Sequence, residues 1–136
     1  MRTETTSPDQ TEAVAAGLAE RLRPGDVVLV HGELGSGKTT FVRGAARALG
    51  VEGPVTSPTF TIGQVYAGAR GEVAHLDLYR LASLAGEDPA LLDDYLTPER
   101  VGFVEWPGAG AGSFDRVVAR VTLEHRGGDS RSVTVE

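Results

Sequence analysis

Apolar residues in this chain follow two different periods, and the change from one to the other marks its elements. Val27-Val28-Leu29-Val30 is an unbroken apolar run bounded by Pro24-Gly25-Asp26, the pattern of a strand buried on both faces. Phe41, Val42, Ala45, Ala46 and Leu49 recur instead at helical spacing and stop at Gly50, as helices commonly do. Upstream, Ser7-Pro8-Asp9-Gln10 supplies a cap, a first-turn proline and a capping-box glutamine, after which Val14, Leu18 and Leu22 share one face of a predicted packing helix. Downstream, Ile62 to Ala67 and Glu72 to Asp77 predict strands around the turn Gly68-Ala69-Arg70-Gly71. Val101-Gly102-Phe103-Val104-Glu105 predicts another strand. Val117 to Leu123 and Ser132 to Val135 predict a closing hairpin around Arg126-Gly127-Gly128-Asp129.

Two stretches between these elements are less regular. Asp88-Pro89 opens a short predicted helix carrying Leu91, Leu92, Tyr95 and Leu96, with Asp93 and Asp94 on its solvated side. Pro107-Gly108-Ala109-Gly110-Ala111-Gly112-Ser113 is low in complexity and reads as a mobile connection. The order of elements predicts an α/β fold: one domain over residues 1–136, with a mainly parallel central sheet, flanking helices and a C-terminal β-hairpin.

The loop between the first apolar strand and the helix behind it carries the chemistry. Gly32-Glu33-Leu34-Gly35-Ser36-Gly37-Lys38-Thr39 is a full match to the phosphate-binding pattern GxxxxGK[ST], and Lys38 is the only lysine among 13 Lys and Arg residues. A compact ammonium on a thin stem reaches over a tight loop to two phosphates, which a broad guanidinium does not. Glycines let successive N–H groups turn inward as an anion nest, and the helix N-terminus adds its partial positive charge. Thr39 offers a hydroxyl to Mg²⁺. The bland alternative is a glycine-rich turn in a chain with 18 glycines. The required order of strand, loop and helix argues against it. The first turn of the N-terminal helix could approach the nucleotide base, although packing accounts for that helix by itself.

Acids stand at the ends of two later strands. Val73-Ala74-His75-Leu76-Asp77 and Val101-Gly102-Phe103-Val104-Glu105 both finish at the edge where open α/β sheets place ligands. Either acid could hold Mg²⁺ through water or polarise an attacking water. Glu105 is the better direct ligand or base, because its strand is the more uniformly apolar, and Asp77 then supports it. Trp106 reads as a core or rim aromatic, or as a gate beside Glu105. His31, His75 and His125 lack metal-ligand spacing and read as structural histidines. Ser57-Pro58-Thr59-Phe60-Thr61 crowds hydroxyls between prolines, which either cap turns or place a threonine over a γ-phosphate and Mg²⁺.

Charge and composition exclude several classes. A net charge of −6 argues against a broad nucleic-acid surface, so no direct sequence-specific binding of nucleic acid is expected, whereas a basic partner protein is compatible. Without cysteine there is no disulfide, thiolate catalysis or cysteine-based zinc site. No apolar run reaches membrane-spanning length and Met1-Arg2-Thr3-Glu4 lacks a signal-peptide core, so a cytoplasmic protein is expected.

Taken together, Gly32 to Thr40, Ser57 to Thr61, His75-Leu76-Asp77-Leu78-Tyr79-Arg80-Leu81 and Glu105-Trp106-Pro107 resemble the TsaE (YjeE) family. That family is the small bacterial ATPase of the pathway placing threonylcarbamoyl on adenosine next to tRNA anticodons. The resemblance implies a P-loop NTPase-like domain that binds ATP or ADP with Mg²⁺ and hydrolyses ATP slowly, stimulated by TsaB and TsaD; threonylcarbamoyl transfer itself belongs to TsaD. By motif position, Glu33, Leu34, Gly35, Ser36, Gly37, Lys38, Thr39 and Thr40 would hold the nucleotide, with Thr59 in a nucleotide-responsive loop. Thr39 and Glu105 would hold the metal, while Asp77 and Trp106 would support hydrolysis. Two departures stand out: Gly108 replaces an acid often found after Glu-Trp-Pro, and little chain follows the last strand to act as a partner tail. Two other functions share the phosphate loop. A small-molecule kinase would use Arg80 or Arg100 for an anionic acceptor, and a nucleotide sensor would change shape without turnover.

Overall fold

The computed structural model describes residues 1–33, 35–56, 62–78, 90–106, 114 and 116–136. Its elements are β1 (Arg2–Thr5), α1 (Pro8–Ala19), β2 (Val27–Gly32), α2 (Lys38–Ala48), β3 (Gly63–Gly68), β4 (Gly71–Asp77), α3 (Ala90–Asp93), β5 (Val101–Glu105), β6 (Val117–His125) and β7 (Arg131–Val135). The strands form one sheet in the order β1-β7-β6-β2-β5-β4-β3.

Pairing in this sheet is mixed rather than mainly parallel. The central pairs β6/β2, β2/β5 and β5/β4 are parallel, while β1/β7, β7/β6 and β4/β3 are antiparallel. The parallel core carries the strands that long connections separate; short turns add β3 and β7 as antiparallel partners, and β1 joins β7 from the other end of the chain. The expected C-terminal hairpin is present as β6/β7, extended by β1 at the sheet edge.

Alternation along β2 explains its unbroken apolar run. Val28 and Val30 join Phe41, Val42, Ala45 and Ala46 of α2 and Ala15, Leu18 and Ala19 of α1 in one core. Val27 and Leu29 point the other way, into a second cluster with Leu76, Leu92 and Val104. Burial on both faces leaves no position for a polar residue.

α1 starts as its sequence predicts, with Ser7 Oγ accepting from the Gln10 N–H. The reciprocal half of the capping box is displaced by one residue, because Gln10 Oε1 accepts from the N–H of Thr6 at 2.7 Å. α1 and α2 pack tightly at Gly44, where a Cβ would lie 2.5 Å from both Cα and the carbonyl oxygen of Glu12. Those atoms are backbone and cannot swing aside. Gly44→Ala is therefore expected to cost about 2 kcal/mol as the helices separate, lowering the thermal midpoint by roughly 5–10 °C. A melting curve that overlays the parent's would refute this contact.

Among the described residues no helix is long and apolar enough to cross a membrane. The Gly108–Ser113 run and most of the segment between β4 and α3 lie outside the described residues.

Candidate functional site

Parallel pairing brings the predicted residues to one edge. β2, β4 and β5 run in the same direction, and the register sets Asp77 opposite Glu105 and Glu105 opposite Val30. The C-terminal ends of three neighbouring strands thus present the two acids beside the loop that leaves β2. A cavity of about 320 Å³ opens there, lined by Gly35, Gly37, Lys38, Thr39, Thr40, Asp77, Glu105, Trp106 and Arg131.

The described part of the loop turns through left-handed backbone. Gly35 and Gly37 have φ of +77° and +100°, conformations that glycine adopts without strain. Gly37 is the N-cap of α2 and, having no side chain, makes no side-chain cap to the helix N-terminus. Ser36 contributes differently from its neighbours, because its side chain is fully buried and its Oγ has no partner among the described residues. Lys38, only 5% exposed, curls back over the loop and donates to the carbonyls of Gly32 and Glu33, both at 2.8 Å. Burial pushes its pKa down, against the opposing charges of Glu105 and Asp77. The Trp106 ring lies under the ammonium with its centroid 4.2 Å away. Trp106 is thus half-buried at the loop rather than in the core, and it takes a left-handed backbone, φ +56°, to get there.

Glu105 is the buried hub of the site, at 2% exposure. The Thr39 hydroxyl donates to its Oε2 at 3.1 Å, with Oε1 at 3.4 Å. On the other side stands His75 Nε2, 2.5 Å from Oε2, with an imidazole that is fully buried. A carboxylate only accepts, so Nε2 carries the proton. Nδ1 then faces the Tyr66 hydroxyl at 3.3 Å, and that hydroxyl also lies 3.2 Å from the Thr56 carbonyl. The Tyr66 hydroxyl donates to the Thr56 carbonyl and so bridges that carbonyl to the imidazole.

Most predicted site residues therefore meet. Lys38, Thr39, Thr40, Asp77, Glu105 and Trp106 line the cavity with Gly35 and Gly37, and Glu33 contributes its carbonyl. Leu34 and Thr59 lie outside the described residues. Two participants were not anticipated. His75 reads as structural in the sequence yet bonds the hub acid. Arg131, at the start of β7, donates to the loop carbonyls of Ser36 at 3.1 Å and Gly35 at 3.0 Å, and to its own hairpin at Gly128 and Ser130. Nothing in the sequence around Arg131 separates it from a solvated strand-end arginine.

Arg100 is placed away from this edge. It precedes β5 while Glu105 ends it, roughly 16 Å farther along at strand rise, and it is bonded to Glu72 and to the carbonyls of Asp94 and Tyr95. Arg80 lies outside the described residues. His125 accepts from the Gly127 N–H within the β6/β7 turn.

An ammonium, a helix N-terminus and glycine-shaped backbone suit phosphate oxygens, and a hydroxyl touching a buried carboxylate suits a hard divalent cation such as Mg²⁺. Gly32 completes the fit, since a Cβ there would sit 2.4 Å from Ser36 Oγ and 2.7 Å from the Leu123 carbonyl. The loop closes only without that carbon.

Residues 5–133 match the family of the threonylcarbamoyl adenosine biosynthesis protein TsaE. The tRNA threonylcarbamoyladenosine biosynthesis protein TsaE of Bacillus subtilis is 35% identical over 98% of this chain and 84% of its own length. Its Streptomyces coelicolor counterpart is 40% identical over 87% of this chain and 84% of its own, and that of Treponema pallidum is 33% identical over 99% of both. Among solved structures, the crystal structure of Bacillus subtilis YdiB superposes with a TM-score of 0.76 at 32% identity, covering 99% of this chain and 83% of that one.

Proposed function

The chain belongs to the TsaE family of tRNA threonylcarbamoyladenosine biosynthesis proteins, and from that premise we propose that it is a P-loop NTPase-like, Mg²⁺-dependent ATPase whose slow hydrolysis serves a TsaB–TsaD complex. The observation that carries this reading is the meeting of Lys38, Thr39 and Glu105 in one cavity at the strand ends. Lys38 binds the β- and γ-phosphates in exchange for its present carbonyl partners. Loop N–H groups orient the phosphate chain. Thr39 and Glu105 hold Mg²⁺, which when bound neutralises charge on the phosphate oxygens. Asp77 and Trp106 support hydrolysis from the cavity wall: Asp77 adds negative charge beside the ammonium, and Trp106 shields the ammonium from water. Transfer of threonylcarbamoyl itself falls to TsaD.

Arg100 is committed to Glu72 and α3-side carbonyls, which weakens the kinase alternative. The sensor alternative is separated by turnover. Phosphate release is expected to be slow for the protein with Mg²⁺-ATP and to rise at least about tenfold when TsaB and TsaD are added. Tight ATP binding with no phosphate released in either condition would leave a sensor instead.

A further inference from the structure

Glu105 is buried, yet its two oxygens are not held alike. Oε2 takes the short contacts from His75 and Thr39, whereas among the described residues Oε1 has only the 3.4 Å contact from Thr39. Oε1 is consequently the oxygen with lone pairs to offer the cavity. A carboxylate turned by half a rotation would exchange these roles without changing its burial. Something must fix which oxygen faces the metal site.

Tyr66 and His75 lie on the same face of the antiparallel pair β3/β4. Tyr66 stands opposite Val73 and Gln64 opposite His75, making Tyr66 and His75 diagonal neighbours with ring centroids 6.1 Å apart. The far end of the line is anchored as well. Arg43 of α2 donates twice to the Val55 carbonyl, both at 3.3 Å, and Arg47 donates to the carbonyls of Val51 and Gly53. Thr56, whose carbonyl accepts from Tyr66, is thus the next residue of a segment pinned to α2. α2 also carries Thr39. Glu105 is tied to this helix twice, directly through Thr39 and indirectly through His75, Tyr66 and the segment held by Arg43.

We propose that Tyr66 and His75 are positioning residues for the hydrolytic site: their hydrogen-bonded line from Thr56 to Glu105 locks the carboxylate so that Oε1 faces the metal site. This rests on the ATPase reading above. Burial raises the Tyr66 pKa, the Thr56 bond lowers it, and the Glu105 charge raises it again. The phenol accordingly stays a donor at neutral pH. Neither residue lines the cavity, so the line acts on rate through Glu105 and not by touching nucleotide.

The test uses the full chain with TsaB and TsaD, comparing Tyr66→Phe, His75→Gln, the double variant and His75→Ala. Phenylalanine keeps the ring and removes the hydroxyl. Glutamine keeps an N–H donor for Glu105 and loses the ring nitrogen facing Tyr66. Each of these two is expected to lower kcat about tenfold with the Kd for ATP, measured by a fluorescent analogue, within about twofold; the double variant is expected to lose no more than either, since links in series are not additive. His75→Ala is expected to fall further, because it also removes the donor to Glu105. Unchanged kcat in Tyr66→Phe, multiplied losses in the double variant, or a loss of ATP binding equal to the loss of rate would each overturn the proposal. Absence of hydrolysis in the parent protein would overturn the ATPase reading and this proposal together, whereas an active parent with a fully active Tyr66→Phe overturns only the latter.

Discussion

Lys38→Ala is expected to weaken ATP binding by a factor of about 100 or more while leaving the fold in place. The ammonium donates to two loop carbonyls at 2.8 Å and rests on the Trp106 ring at the cavity wall, within reach of phosphates that would take over from those carbonyls. Charge-assisted hydrogen bonds are worth about 1.5–3 kcal/mol each, and two of them lost to phosphate oxygens amount to roughly 10²–10⁴ in affinity at about 1.4 kcal/mol per decade. Stability responds far less. The carbonyls of Gly32 and Glu33 lose a donor, but the burial that pushes the Lys38 pKa down is relieved by the same substitution. A shift in thermal midpoint below about 5 °C is expected. Lys38→Arg should bind no better than the alanine variant, since a planar fork does not fit where a compact ammonium bridges two carbonyls. Titration with a fluorescent ATP analogue checks both, and affinity within threefold of the parent would remove Lys38 from its assigned place.

Glu105→Gln is expected to reduce partner-stimulated hydrolysis by about two orders of magnitude, as loss of a charged group at the reacting centre commonly does, with ATP still bound. The amide oxygen can still accept from His75 Nε2 and from the Thr39 hydroxyl, so the packing of the site survives while its negative charge does not. Glu105→Ala should match that loss of rate and also destabilise the protein by about 1–3 kcal/mol, because it leaves the fully buried imidazole of His75 without an acceptor. The two variants separate charge from scaffold. If hydrolysis survives in both, Glu105 is neither metal ligand nor base.

Local signals carried the centre of the fold. β2, the loop and α2 are contiguous, so an apolar run, a glycine-rich turn and a 3.6-residue period describe them without reference to anything distant. β1 carried no such signal: Arg2, Thr3 and Glu4 are polar, only Thr5 is buried, and the strand exists because β7 offers it an edge. The β1/β7 pair is thus the antiparallel pairing that the sequence did not signal, whereas β3/β4 and β6/β7 follow turns visible in it. The acids were legible as strand ends. His75 was not, although it stands two residues before Asp77 and so shares its face of β4. Its partner is 30 residues away in sequence, and only the pairing of β4 with β5 brings them together. Leu34 and Thr59, both expected at the nucleotide, lie outside the described residues.

Arg131 has a consequence for the order in which activity is acquired during synthesis. Its guanidinium holds the carbonyls of Gly35 and Ser36 across 96 and 95 residues of sequence, and β6, its hairpin partner, is also the parallel neighbour of β2. Contacts of such long range close late, after the entropy of a long loop has been overcome. A nascent chain that has emerged only as far as α2 owns the full phosphate-loop sequence but not the clamp that shapes it. The bonds that fix Gly35 and Ser36 thus form only once β7 is available to pair with β6.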